Sequence, residues 1–272
     1  MLGAIIGDIA GSTYEFHNTN DYNCNLFPEG SNYTDDSILT MAVASWLLHD
    51  PDHTHEKLEK EIVFFGNAFP CPKGGYGEGF YHWLFEMDPR HPYNSWGNGA
   101  AMRVSAVGWF FDTLEETERV AGISASITHS HPEGIKGAQA TAAAIFLART
   151  GHSKEEIRDY IEQRFGYDLH KSYADWYGSY GWDASCQGTV PQALICFLES
   201  EDYEDAIRKA VALGGDSDTL ACITGGIAEA FHGGIPSWMA HEAFDRLPDT
   251  FREIIAEAEK VTEYKTLIAF VD

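Results

Sequence analysis

Long apolar runs are missing from this sequence. The longest, such as Ala140–Ala148 and Val107–Phe111, fall far short of the roughly 18 residues that a membrane-spanning helix needs. A basic segment ahead of an apolar stretch is missing too, since Met1-Leu2-Gly3 opens the chain, and neither membrane insertion nor secretion is expected. Cysteine is scarce and unpatterned. Cys24, Cys71, Cys186, Cys196 and Cys222 are odd in number and form no Cys-x-x-Cys pair, which suits thiols in a reducing compartment better than a disulfide framework. The cytoplasm is the expected location. Basic residues are few, 18 against 42 acidic, for a formal net charge of -24. Such a field repels nucleic-acid phosphates and anionic lipid, which excludes generic nucleic-acid binding. It also repels a small phosphorylated ligand, so a site for one must neutralise carboxylates locally with metal cations, helix N-termini or backbone N–H groups.

What is present is enough for a large core: 272 residues, 44% of them hydrophobic, with no Pro/Ser-rich or charge-block linker. A single domain over residues 1–272 is expected. Apolar residues recur at three- and four-residue intervals in Thr34–Leu48, Ala100–Phe111, Thr113–Ile127, Pro132–Arg149, Ser153–Phe165, Thr189–Glu199, Tyr203–Leu213, Thr219–Phe231 and Pro248–Tyr264, and the period predicts helices. Thr113 with Glu116 and Ser153 with Glu156 have capping-box spacing. Pro132 suits a first turn, and Gly151, Gly166 and Gly214 stand where helices should stop. Alternating β-branched runs are nearly absent, whereas Ala138, Ala140, Ala142, Ala143 and Ala144 permit close helix approach. The expected fold class is all-α, a compact single-domain helical bundle. Asn18–Asn32, Gly66–Asn94 and Gly178–Gly188 read as loops around a site.

Three oxygen-rich clusters fall at predicted helix mouths: Gly7-Asp8 to Glu15, Thr34-Asp35-Asp36-Ser37, and Gly214-Gly215-Asp216-Ser217-Asp218-Thr219. Carboxylates and hydroxyls without His or Cys suit Mg²⁺, Mn²⁺ or Ca²⁺ rather than zinc. An EF-hand is excluded, because Ala221 and Ile227 occupy the positions of its glycine and its bidentate glutamate. Taken singly, each cluster is as well explained by capping, with Thr34, Asp216 or Asp218 as N-caps and Asp35 and Asp36 favouring the helix dipole. Two paired-aspartate clusters, each followed by a hydroxyl residue, exceed what capping requires, and together they favour metal. Gly97-Asn98-Gly99-Ala100-Ala101-Met102 reads either as a Gly-rich turn or as a backbone cradle for a pyrophosphate. In Thr128-His129-Ser130-His131-Pro132, one histidine contacts substrate or both are loop residues ahead of a Pro-initiated helix. Trp176, Tyr177, Tyr180 and Trp182 are packing residues, or one of them stacks on a base.

As an ordered set, Gly3–Phe16, Thr34–Ser37, Gly97–Arg103, Thr128–Ala138 and Gly214–Ala230 resemble the ADP-ribosylglycohydrolase family. The resemblance implies an all-α fold with a binuclear magnesium or manganese centre in a cleft. It implies Thr34, Asp35, Asp36, Asp216, Asp218 and Thr219 as metal ligands and Glu15, Asp35 and Asp218 as catalytic residues. It further implies Asn98, Gly99, Ala100 and Met102 as a phosphate-contacting loop, with His129 lining the ADP-ribose cleft. Ser37 and Ser217 stand where threonine is commoner in the family, and both keep the hydroxyl. The implied activity is metal-dependent hydrolysis of the glycosidic bond between ADP-ribose and an acceptor, a protein side chain or a small conjugate. The alternatives are a metal-dependent nucleotide phosphohydrolase and a non-catalytic ADP-ribose-binding or structural member of the family. The loop between Glu15 and Thr34 is short, and acceptor identity, oligomeric state and regulating partner stay open.

Overall fold

The computed structural model describes residues 1–263 and the backbone of residues 268 and 269. Helices make up nearly all regular structure: α1 (Leu2–Gly11), α2 (Asp35–His49), α3 (His55–Ala68), α4 (Glu78–Phe85), α5 (Gly99–Met102), α6 (Val107–Phe110), α7 (Leu114–Ser126) and α8 (Pro132–Arg149). They continue with α9 (Lys154–Phe165), α10 (Tyr173–Trp176), α11 (Cys186–Leu198), α12 (Tyr203–Leu213), α13 (Ser217–His232), α14 (Ser237–Arg246) and α15 (Asp249–Val261). Two short strands, β1 (Ile235–Pro236) and β2 (Ile268–Ala269), pair in parallel with Ile235 opposite Ile268. The all-α expectation holds. The end of the expected helix Pro248–Tyr264 and the final stretch of the expected single domain lie outside the described residues.

Local chemistry sets many of these boundaries. Ser153 and Glu156 close a reciprocal capping box at α9, and Gly166 ends that helix in the left-handed region at φ 71°. Thr113 caps α7 by accepting from the Glu116 N–H, and Pro132 opens α8 behind a His131 cap. Three expectations need correction. The single helix Ala100–Phe111 is two short ones, α5 and α6, separated at Arg103, whose backbone sits at φ -87° and ψ -5°. The loop Gly66–Asn94 contains the end of α3 and all of α4. Asp8 is not at a helix mouth but in the second turn of α1, a helix that periodicity does not announce because every residue from Leu2 to Gly11 is buried.

One apolar cluster draws side chains from nearly all of these helices. At its centre α1 and α13 run antiparallel in backbone contact. A Cβ on Gly3 would meet Gly225 O at 2.5 Å, one on Gly7 would meet Ala221 O at 2.0 Å, and one on Gly11 would meet Ser217 O at 2.3 Å. Glycine at every fourth position of α1 therefore keeps one side-chain-free stripe against α13. Because the two helices are antiparallel, the end of α1 meets the start of α13, and this places the segment carrying Glu15 beside Asp216 and Asp218. No helix among the described residues is long and apolar enough to cross a membrane, and the five cysteines are free.

Candidate active site

Asp8 ties the first two acidic segments together. Although fully buried on α1, its carboxylate accepts from the Thr34 N–H (3.0 Å) and hydroxyl (2.7 Å) and from the Ser37 N–H (3.1 Å) and hydroxyl. Burial pushes Asp8 up to about 6, with the bonds from Ser37 and Thr34 opposing the rise. Asp8 is a structural anchor that spacing rules do not single out; its one signal is a charged residue inside an otherwise apolar decapeptide. Thr34 belongs to the same network: its hydroxyl donates to Asp8 and accepts from Asp36 N, which caps α2 and leaves one lone pair on that oxygen.

The third segment is held differently. Asp216 stands at the N-cap position of α13 without capping it; instead it accepts from the Asn98 side chain at 2.7 Å. Asn98 also donates to Thr189 Oγ1 at 3.2 Å, so its amide is spent on positioning Asp216. The turn ahead of Asp216 has Gly214 at φ 84° and Gly215 at φ 72°, conformations that glycine adopts without strain. Asn18 pins this turn with both ends of its amide, donating to Gly215 O at 2.9 Å and accepting from Gly215 N at 2.8 Å. Neither Asn18 nor the Asp216–Asn98 pairing was visible in sequence spacing.

These elements enclose a cleft of about 350 Å³. Its wall carries Glu15, Asp35, Asp36, Asp216, Asp218 and Thr219, and also Asn98, Gly99, Met102 and His129. Two expected site residues are not on that wall: Thr34, bound to Asp8, and Ala100, fully buried behind the loop. Residues 74–79 form another part of the wall. There Gly74, at φ 80°, leaves the Glu15 carboxylate only 2.6 Å from where a Cβ would stand. Of the aromatic residues considered for stacking, Trp182 lines the cleft, half exposed and stacked on Phe16 at 5.6 Å. Trp176, Tyr177 and Tyr180 do not line it. His131 caps α8 through its own ring, so of the two histidines only His129 reaches the cleft.

The electrostatics are those of carboxylates forced together. Oxygens of Glu15, Asp216 and Asp218 lie within 4.8 Å of one another. Asp36 and Asp218 are each raised well above the usual carboxylate range, first by burial and then by the charges of neighbouring acids. Asp35 is raised in the same way, with Asp8 and Asp216 as its main neighbours. Glu15 is pushed up to about 7 by burial and by Asp216 and Asp8, with Lys73 opposing. One oxygen of Asp36 and one of Asp218 are buried without a hydrogen-bond partner. A buried, unpaired carboxylate oxygen is costly, and a set of hard oxygen donors with such vacancies fits divalent Mg²⁺ or Mn²⁺. The second acidic group, Glu162, Asp168 and His170, lies on the surface away from this cleft.

The profile of the ADP-ribosylglycohydrolase family matches residues 1–265. Among curated proteins, human ADP-ribosylhydrolase ARH3 is 25% identical over 93% of this chain and 87% of its own length. The Xenopus tropicalis protein of the same name is 25% identical over 86% of each chain. A solved structure titled "ADP-ribosylglycohydrolase-related protein complex" superposes with a TM-score of 0.72 over 96% of both chains at 23% identity, which is a likeness of fold.

Proposed function

Because the chain belongs to the ADP-ribosylglycohydrolase family, we propose that it is a metal-dependent hydrolase cleaving the N- or O-glycosidic bond between ADP-ribose and an acceptor, either a protein side chain or a small ADP-ribosylated molecule. The observation that carries this reading is the convergence of Glu15, Asp35, Asp36, Asp216 and Asp218, from three distant segments, on one cleft. Asp35, Asp36, Asp216 and Asp218, with Thr34 and Thr219, are the residues proposed to hold two Mg²⁺ or Mn²⁺ ions. When bound, such ions supply charge neutralisation beside the ribose hydroxyls and Lewis-acid activation of water.

The chain's own groups account for the rest. Departure of the acceptor builds oxocarbenium character at the anomeric carbon, and the carboxylate of Glu15, outside the proposed metal-holding set, favours developing positive charge in the cleft. Glu15, at the edge of the acidic cluster and half-buried, is placed to orient a water or to take its proton. Asn98 and Asn18 hold Asp216 and its turn in register, and Asp8 holds the first turn of α2. Gly99, Met102 and His129 line the part of the cleft assigned to the diphosphate.

The test is a panel of ADP-ribosylated peptides and small conjugates assayed with Mg²⁺, with Mn²⁺ and after exhaustive chelation, for wild type, Asp216→Ala and Asp218→Ala. Release of intact ADP-ribose that disappears on chelation and in both variants is expected. AMP or inorganic phosphate as product would instead indicate phosphoryl chemistry, and tight ADP-ribose binding without turnover on any acceptor would indicate a binding protein. Unchanged activity after chelation would remove the metal from the proposal.

A further inference from the structure

Arg103 is a fully buried arginine with no carboxylate within hydrogen-bonding distance among the described residues. Its Nη2 donates to Ser124 O at 2.8 Å and to Thr128 Oγ1 at 2.9 Å, while Nε and Nη1 find no partner among the described residues. Thr128 Oγ1 in turn lies 2.8 Å from His129 Nδ1. A guanidinium only donates, a threonine hydroxyl has a single proton, and a neutral imidazole has one donor and one acceptor nitrogen. Thr128 is fully buried, and no acceptor other than His129 Nδ1 lies within hydrogen-bonding distance of its hydroxyl among the described residues. Pointing the hydroxyl proton anywhere else would leave a buried donor unsatisfied, at a cost comparable to a lost hydrogen bond.

From this chain of contacts we infer that Arg103, acting through Thr128, fixes His129 in the tautomer that carries its proton on Nε2, so that His129 presents a permanent neutral N–H donor to the cleft. Arg103 occupies one lone pair of the Thr128 oxygen, the hydroxyl proton goes to Nδ1, and Nε2 keeps the ring proton. Nε2 has no protein acceptor among the described residues and lies against the Gly97–Gly99 turn, 3.4 Å and 3.2 Å from where side chains on those glycines would begin. The group it suits is an acceptor-only oxygen such as that of a diphosphate. In a cleft whose wall carries the carboxylates of Glu15, Asp35, Asp36, Glu78, Asp216 and Asp218, a donor whose direction cannot reverse favours such an oxygen. Arg103 and Thr128 are thus positioning residues, and His129 is the group that touches the ligand. The ligand's identity rests on the proposed ADP-ribose reading; the tautomer does not.

The experiment is long-range ¹H–¹⁵N correlation of histidine rings in the full chain at pH 7.5, with His129 assigned by its loss in His129→Gln, alongside calorimetric titration with ADP-ribose. The wild type should show the Nε2–H tautomer before any ligand is added. Thr128→Val removes the proton donor to Nδ1 and should release the tautomer bias and weaken ADP-ribose binding by roughly tenfold to a hundredfold, whereas Thr128→Ser should restore both. Arg103→Gln should also release the bias, and circular dichroism checks that it folds. An Nδ1–H tautomer or an imidazolium in the wild type, or an unchanged tautomer in Thr128→Val, would overturn the inference. A correct tautomer with no ADP-ribose binding would leave the relay standing and refute the functional reading instead.

Discussion

Replacing Gly7 with alanine tests whether backbone contact between α1 and α13 builds the site. The added Cβ would stand 2.0 Å from the Ala221 carbonyl oxygen and 2.4 Å from its carbonyl carbon, where ordinary contact is roughly 3.5 Å. Both groups are helix backbone, so no flexible side chain can yield, and the helices must part by roughly 1 Å or more. Overpacking of this kind costs about 1–3 kcal/mol, and the upper end applies because the clash is rigid. Alanine recovers about 1 kcal/mol through helix propensity. The net loss is therefore about 2 kcal/mol, which for a chain of this size lowers Tm by roughly 4–8 °C. Urea unfolding followed by circular dichroism gives the free energy, with Gly181→Ala as control because nothing lies within 4 Å of its added Cβ. The same scan on Gly11→Ala, whose Cβ would press on Asp218 Cα at 2.5 Å, should cost as much stability and also weaken the stabilisation given by Mg²⁺. A Gly7→Ala protein as stable as wild type would refute the reasoning, since it would mean that the two backbones are not locked together.

Three further outcomes follow from named contacts. Asp218→Asn should raise the Tm of chelated protein and abolish the rise that Mg²⁺ causes: ionised carboxylates within 4.8 Å repel by about 3 kcal/mol at an effective dielectric of about 20, of which proton uptake relieves part. Scanning fluorimetry with and without Mg²⁺ decides, and an Mg²⁺ shift equal to wild type would count against Asp218 as a ligand. Asn18→Ala removes both bonds to Gly215 and should weaken Mg²⁺ binding by roughly tenfold while costing only about 1 kcal/mol of stability; calorimetry showing unchanged Mg²⁺ affinity would free Asn18 from this role. His232, lowered to about 4 by burial and by Lys154, stays neutral in the folded chain where the unfolded chain takes up a proton near pH 6.5. Its contribution is complete above about pH 6.5 and is lost as pH falls toward about 4, about 1 kcal/mol at pH 5 after discounting for solvent access, so urea midpoints of His232→Gln should fall less between pH 7 and 5 than those of wild type.

The fold class could be read from the sequence because most helices are amphipathic or clearly capped, as with Ser153 and Glu156. Helix α1 could not. A stretch with glycine at positions 3, 7 and 11 has poor helix propensity, and burial on every side erases the periodic contrast that marks a surface helix. Helix α3 was missed, because its buried stripe of Leu58, Ile62 and Phe65 is narrow and sits among charged and exposed residues, so the periodic contrast is weak. At the site, residue type gave the acidic members, since paired aspartates before hydroxyls exceed the needs of capping. Their supports stayed hidden, because Asn18 and Asn98 act across 197 and 118 residues of chain, and an asparagine in a loop carries no mark of its distant partner.

That asymmetry has a physical cause. A cluster of buried acids opposes folding on its own, because each carboxylate raises the cost of ionising the next. The opposing stabilisation therefore has to come from groups that do not share the charge: glycine stripes that bring α1 to α13, the hydroxyl and backbone donors around Asp8, and the amides of Asn18 and Asn98. Such groups are chemically plain and spread along the sequence, whereas the acids they hold are conspicuous and locally grouped. Changing a support should thus loosen the cation site without removing a ligand, and changing a ligand should stabilise the cation-free fold while destroying the site. These opposite signs in stability, measured on Asn18→Ala and Asp218→Asn in the absence of divalent ions, separate the two kinds of residue.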